Sequence, residues 1–381
     1  MEMSLHRFNV EAGWNRPLDK GMDSAQTLLI IFSAARPNEA LATELTGLHQ
    51  TFSSSILIGC SSSGEIYGED LNDDSIVVAV LRFQDTRLKL AHVPIADAEE
   101  SASAGRALAE QLATDGLAAV FTLTDGLLVN GSAYVESLGS ALPTSVVVTG
   151  GLAGDGDRFE KTWVLYDGET LTGQVVAVGL YGDAVRVAHG SRGGWDLLGP
   201  EREVTRAEGN VLYSLDAQPA LQVYKKYLGE RADGLPATGL LFPLAIRNEE
   251  DTDGLTVRTI LAVDEQKQSI TFAGDVPEGC FVKLMRANFD RLIDGAGSAA
   301  ESIALGDYQN SPALCIAISC VGRRLVLGPR VEEEIEAVSE SLPTEVGLIG
   351  YYSYGEISPL ASGRCDLHNQ TMTLTLIWES G

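Results

Sequence analysis

Short apolar runs alternate with segments of helical spacing along this chain, three times in the same order. The first segment has an apolar run at Leu28 to Ser33, helical spacing over Pro37 to His49, a second run at Ser55 to Gly59 and a third at Asp74 to Phe83. The second has Ala118 to Thr124, a helix over Gly131 to Ala141, Ser145 to Thr149, then Trp163 to Tyr166 and Gln174 to Tyr181. The third has Ala313 to Cys320, a helix near Val331 to Ser341, Val346 to Ile349 and Thr371 to Trp378. Short apolar runs bounded by turn signals predict buried strands, so each segment reads strand, helix, strand, loop, strand. The lead-ins also correspond. Arg87 to Leu90 with an Ala-rich helix over Glu99 to Ala113 precedes the second segment, and Phe281 to Leu284 with a helix over Ala287 to Leu305 precedes the third.

Between the second and third segments the pattern predicts a hairpin at Gly190 to Asn210 and an amphipathic helix at Pro219 to Leu228. Strands follow at Leu240 to Arg247, Gly254 to Val263 and Ser269 to Phe272, with a solvated acidic turn at Asn248 to Gly254. The alternation predicts an α/β (α+β) fold: two homologous halves built from repeated strand-helix-strand-loop-strand units around a shared cleft. The boundary falls where Gly193-Gly194 and Gly199-Pro200 concentrate, giving domains 1–205 and 206–381.

The loops themselves repeat. Ile58-Gly59-Cys60-Ser61-Ser62-Ser63-Gly64-Glu65-Ile66 returns as Ile349-Gly350-Tyr351-Tyr352-Ser353-Tyr354-Gly355-Glu356-Ile357, both fitting I-G-x-x-S-x-G-E-I. A third loop, Gly150 to Asp155, shares its lead-in Leu142-Pro143-Thr144 with Leu342-Pro343-Thr344. Glycine loops at equivalent strand ends are expected to cluster and form a pocket. The candidate ligand-binding residues are therefore Cys60, Ser61, Ser62, Ser63, Glu65, Asp155, Tyr352, Tyr354 and Glu356.

Composition narrows the function. At 381 residues, 45% hydrophobic and 21% charged, the chain can bury a large core in two or three units. A net charge of −26 repels phosphates and argues against nucleic acid or an anionic membrane as partner. No apolar run approaches a membrane span and Met1 to Lys20 does not resemble a signal peptide, so a cytoplasmic location is expected. The 5 cysteines (Cys60, Cys280, Cys315, Cys320, Cys365) are scattered without C-x-x-C spacing and read as buried free thiols.

Several chemistries are excluded by spacing. Glu65 and Glu356 stand where a P-loop needs its lysine, and Cys60 breaks the G-x-S-x-G of a nucleophile elbow around Ser62. Gly150 to Gly156 lacks dinucleotide spacing, and no histidine pair suggests a preformed zinc site. The 5 histidines stand alone, and each reads first as a surface or satisfied core residue. His189 ends the alternating strand Val185-x-Val187-x-His189 before a glycine, and His368 lies in a turn beside the last strand. Either supplies the single imidazole that an axial haem ligand requires. Arg192, Lys283, Arg286, Arg323 and Arg324 are candidate carboxylate receivers, or simply balance local charge.

With these residues in view the chain resembles the FIST sensory proteins, an N region followed by a C region. The phrases that carry the likeness are GCSSSGEI (59–66) and GGLAGDG (150–156) in the first part. In the second they are FPL (242–244), FAGDVPEG (272–279), LMRANFDRLIDGA (284–296), GYYSYGEISP (350–359) and LHNQTMTLTL (367–376). The likeness covers nearly the whole chain. It implies a ligand-sensing module of bacterial signal transduction rather than an enzyme, with small molecules such as amino acids as ligands. Similar stand-alone members bind haem, sense nitric oxide and regulate a partner histidine kinase. Without a fused output segment, signalling here is expected in trans, with haem as cofactor through His189 first and His368 second. Two alternatives are a sensor of an amino acid or other small polar ligand, and an enzyme using the Cys60/Ser62/Glu65 loop.

Overall fold

The protein, seen as a computed structural model, is described over residues 1–247, 255–309, 311–360 and 362–380. The predicted acidic turn at 248–254 lies outside the described residues. The first unit comprises β1 (Glu2–Asn9), β2 (Gly13–Trp14), β3 (Thr27–Ala34), α1 (Glu39–Thr51), β4 (Ile56–Ser62), β5 (Glu65–Tyr67), β6 (Asp70–Asn72) and β7 (Ser75–Arg82). The second comprises β8 (Arg87–Pro94), α2 (Ser101–Leu112), β9 (Leu117–Thr124), α3 (Gly131–Ser140), β10 (Val147–Leu152), β11 (Val164–Tyr166), β12 (Glu169–Leu171) and β13 (Gln174–Tyr181).

The third unit opens with β14 (Val185–Arg192) and is then interrupted. The insert holds β15 (Asp196–Glu208), β16 (Val211–Leu215), β17 (Gln218–Pro219), α4 (Ala220–Leu228), β18 (Leu244–Arg247), β19 (Thr256–Arg258), β20 (Ile260–Asp264), β21 (Ser269–Phe272) and β22 (Phe281–Arg286). The unit resumes with α5 (Phe289–Glu301), β23 (Ala313–Cys320), α6 (Val321–Leu327) and α7 (Val331–Ser341). It ends with β24 (Val346–Ser353), β25 (Gly355–Pro359), β26 (Cys365–His368) and β27 (Met372–Glu379).

The fold is mixed α+β, with one sheet per unit and a separate eight-stranded sheet in the insert. In each unit two parallel strands (β3 with β4, β9 with β10, β23 with β24) are flanked by an antiparallel strand (β7, β13, β27). The short strand after each glycine loop leaves its own unit. β5 pairs with β24, β11 with β4 and β25 with β10, so the three units exchange strands in a closed cycle.

Burial on both faces explains the apolar runs. Leu28, Ile30 and Phe32 join Phe121, Leu123, Ile316 and Ile318 in a central core shared by the three sheets. Leu29 and Ile31 turn outward to Leu41, Leu45 and Leu48 of α1, while α2 and α3 cover the second sheet and α5 and α7 the third. Parallel strands covered in this way lose the alternation of a half-exposed strand. Asparagines start three of the helices: Asn38, Asn130 and Asn288 each accept a hydrogen bond from the main chain of the first turn.

One local expectation differs. Gly190 to Asn210 is not a hairpin, because β14 pairs with β27 in the third sheet while β15 pairs with β22 and β16 in the insert. Long-range pairing of each arm outweighs the local glycine turn signal.

Candidate functional site

The repeated glycines follow from strand packing. Gly59 lies opposite Ile31, Gly150 opposite Thr122 and Gly350 opposite Ala317 on the neighbouring parallel strands. A Cβ at any of the three would sit on the main-chain oxygen of that partner. Beyond the glycines the loops bind one another directly. Ser63 N donates to Tyr352 O at 2.8 Å and Tyr352 N to Gly64 O at 2.9 Å. Gly154 N donates to Ser61 O at 3.0 Å, and Gly156 N donates to the Ser63 hydroxyl at 2.9 Å. Gly355 lies beside Leu152 on the strand that crosses to β10. Gly64 and Gly355 thus come to one junction, where the expected convergence of the loops is observed.

Side chains at this junction are engaged with the protein itself. The Glu65 carboxylate accepts from the Ser62 hydroxyl, from Ser75 N at 3.1 Å and from the Ser75 hydroxyl at 2.8 Å. Glu356 repeats the arrangement with Ser353 at 2.8 Å and with Thr371 through N (3.2 Å) and hydroxyl (2.9 Å). Burial pushes Glu65 up to about 7 and Glu356 up to about 8, against the pull of these donors. Asp155 accepts from the main-chain N–H groups of Phe159, Glu160 and Lys161 and from the Tyr354 hydroxyl. The Tyr352 hydroxyl donates to Glu334 at 2.7 Å. Ser61 accepts from Trp163 N at 3.1 Å. Cys60 is buried, and burial pushes its thiol well above the ordinary range, the reverse of an activated thiolate.

Of the nine predicted ligand residues, Ser62, Ser63 and Glu65 line a cleft of about 470 Å³ at the junction. Its other walls carry Arg36, Arg158 and Arg324. Arg324 is paired with Asp73 at 2.6 Å and also donates to Ser63 O, and Arg36 pairs with Glu160. Cys60, Ser61, Asp155, Tyr352, Tyr354 and Glu356 do not line it and serve the internal network instead.

Arg323 is likewise internal: it is fully buried and pairs with fully buried Glu334 at 2.6 Å. It also donates to the main-chain oxygens of Gly193 (2.5 Å) and Leu292 (2.8 Å), tying α6 to α7, α5 and the end of β14. Arg286 approaches Asp196 at 3.9 Å, and Arg192 is exposed and donates to the main-chain oxygen of Ser191 at 2.9 Å.

The two candidate haem histidines lie away from the junction cleft. His368 is buried with Nε2 against Ser358 O at 2.9 Å. His189 is half-buried on β14, and burial together with the nearby His368 lowers its pKa. Neither lines the junction cleft, the cleft of about 430 Å³ around Asp196, Arg231 and Arg286, or the larger one described next. A macrocycle needs a slot beside its imidazole, and none of these three clefts supplies one to His189 or His368. Among the described residues no group of three or more His, Cys, Asp or Glu side chains could hold a metal ion.

The largest of these clefts, about 810 Å³, lies where the second unit meets the insert. One wall is α3 with the α3–β10 connection and the start of β26, contributing Ser132, Glu136, Ser140, Thr144 and Cys365. The other is the insert, contributing Gly209, Thr256, Arg258, Asp275, Val276 and Glu278. Arg258 is 5% exposed. Sequence reasoning missed this seam cleft. Its signal was the phrase at 272–279, whose Asp275 to Glu278 forms part of the rim.

Residues 27–218 match the FIST N domain and residues 220–359 the FIST C domain. An uncharacterized protein of Methanocaldococcus jannaschii is 23% identical over 393 residues, covering 93% of this chain and 73% of that one. Uncharacterized proteins of Mycobacterium bovis and Mycobacterium tuberculosis are each 24% identical over 375 residues, covering 94% of this chain and 92% of theirs. Among solved structures, a cyanuric acid hydrolase from A. caulinodans aligns over 77% of this chain and 99% of its own. Its TM-score of 0.18 and 12% identity carry no argument about fold or activity. The chain belongs to the FIST family, an N domain followed by a C domain, and so to a class of ligand-binding sensory proteins of signal transduction.

Proposed function

We propose that this protein senses a small polar molecule held in the seam cleft, where ligand binding fixes the insert against the second unit. The observation that carries the reading is the origin of the walls. One is built mainly from α3 and the α3–β10 connection, within the FIST N match, and the facing one mainly from insert residues Thr256, Arg258 and Asp275 to Glu278, within the FIST C match, so a single guest touches both. A ligand that contacts two bodies at once favours their closed arrangement by its differential affinity, which is the physical requirement for a sensor. The volume suits a metabolite-sized guest, and the mixture of hydroxyls, carboxylates and the two guanidiniums of Arg258 and Arg364 suits a polar one, amino acids among them. The reading includes a cytoplasmic setting and output through a partner such as a histidine kinase, both supported by the family resemblance.

Haem and nitric oxide are not part of the proposal, since neither histidine lines the junction cleft, the seam cleft or the cleft around Asp196. A saturable Soret band that is lost in His189→Ala would reinstate them.

The direct test is a thermal-shift screen of the full chain against small polar metabolites, run in parallel on Ser140→Trp. Ser140 is exposed at the end of α3 on the cleft rim, so the indole fills the cleft without touching the core. A true ligand at about 100 times its Kd stabilises the native state by about 2.7 kcal/mol, and that gain should vanish in the variant. Equal stabilisation of both proteins would remove the seam cleft from the account.

A further inference from the structure

Arg258 closes β19 and is buried at the inner wall of the seam cleft. Its guanidinium is held by neutral oxygens. Nε donates to Asp275 O at 3.0 Å, and Nη1 donates to Leu367 O at 2.9 Å and Val257 O at 3.3 Å. Among the described residues Nη2 has no acceptor, and Arg258 forms no ion pair. The nearest carboxylates, Asp366 and Asp275, act on it only from beyond ion-pair distance. Burial outweighs them and lowers the Arg258 pKa. Their oxygens are also in use: Asp275 accepts from the Asn130 side chain at 3.1 Å and Asp366 from Leu367 N at 2.8 Å.

A guanidinium stays charged in proteins and is costly to bury without a counter-ion. An N–H of a guanidinium that is still free makes a charge-assisted hydrogen bond to a carboxylate oxygen. The three carbonyl anchors fix the plane of the Arg258 fork and leave Nη2 uncommitted. We infer that Arg258 is the anchor for the carboxylate of a small organic acid, and that this acid is the ligand of the seam cleft. The inference rests on the sensor reading above and names the chemical class of its ligand. Hydroxyls of Thr144, Thr256 and Ser132 lie on the same walls, in reach of polar groups on the body of the acid.

The test uses the full chain and a panel of acetate, lactate, succinate and benzoate. Each acid is compared with its primary amide, and inorganic phosphate is included, all by isothermal titration calorimetry. At least one acid should bind ten-fold or more tightly than its amide and than phosphate. Arg258→Gln should reduce that affinity at least ten-fold with near-UV circular dichroism unchanged, and Arg258→Lys should give an intermediate loss. If Arg258→Gln fails to fold, Ser140→Trp takes its place and should abolish acid binding.

Acids and amides that bind alike, binding that survives Arg258→Gln in the folded protein, an equal preference for phosphate, or no acid binding at all would each overturn the assignment. The two readings fail separately. A neutral or cationic ligand that binds and is displaced by Ser140→Trp refutes the carboxylate and keeps the cleft. A ligand indifferent to Ser140→Trp refutes the cleft itself.

Discussion

Among the described residues two arginines are buried, one beside the loop junction and one at the seam, and the fold treats them differently. Arg323 meets Glu334 at 2.6 Å with both side chains fully buried, and Glu334 also receives Tyr352 from the repeated phrase at 349–357 and Ser319 from β23. Arg258 meets only carbonyl oxygens. Where the fold supplies the counter-charge, the group serves to hold the fold. Where the counter-charge is missing beside a cleft, the group is available to something from outside. By that comparison the repeated loops, conspicuous in the sequence, are the joint that locks three exchanged strands together. On the sensor proposal, the ligand is held at the seam between the unrepeated insert and α3.

The largest expected effect comes from breaking the charge pair at the junction. Glu334→Ala strands a buried guanidinium and should cost about 4 kcal/mol in urea unfolding. Next are the glycines on the parallel strands. Gly59→Ala and Gly350→Ala each force a methyl group onto a neighbouring main-chain oxygen, for a loss of about 3 kcal/mol by the same measurement. If either alanine variant is as stable as the parent, the glycines repeat for a reason other than packing.

The junction should also show a pH signature. Glu65 and Glu356 stand at about 7 and about 8 in the folded protein, against an ordinary 4.5. Folded values above unfolded ones mean that the contribution is fully present below about pH 4.5 and is lost as pH rises through 7 and 8. For each group the loss is on the order of 3 kcal/mol. Unfolding free energies at pH 5 and pH 8 should therefore converge in Glu65→Gln and Glu356→Gln, and most fully in the double variant. An unchanged slope would mean that the hydroxyl and N–H donors, rather than burial, set these two carboxyls.

The smallest effect on stability is expected at the seam. Ser140→Trp should stay within about 0.5 kcal/mol of the parent while abolishing ligand-induced stabilisation.

Much of the scaffold was legible in the sequence because burial on both faces writes itself as apolar runs. Leu28 to Phe32 and Ala313 to Ile318 could hardly be anything but covered strands. The glycine phrase marked Gly59 and Gly350, and through them the junction. The strand exchange was not legible, since β5 is three residues long and nothing in Glu65-Ile66-Tyr67 says that its partner is Ile349 to Tyr351. β1 was missed because it mixes exposed and buried positions with polar residues, as expected of a strand near a sheet edge. The serines and glutamates of the loops were recognised as important, but whether a hydroxyl faces a ligand or its own neighbour depends on the fold. Arg258 gave no signal at all. Its significance is that no nearby carboxylate pairs with it, which depends on distant segments such as Asp275 and Leu367.

The most direct test of the seam as the ligand site is backbone hydrogen exchange on the full chain, with and without the ligand identified by the thermal-shift screen. The account predicts new protection at both walls of the seam, in residues 139–148 and 275–278, with little change at 60–65 and 351–356. Protection confined to the loop junction, with the seam unaffected, would contradict it.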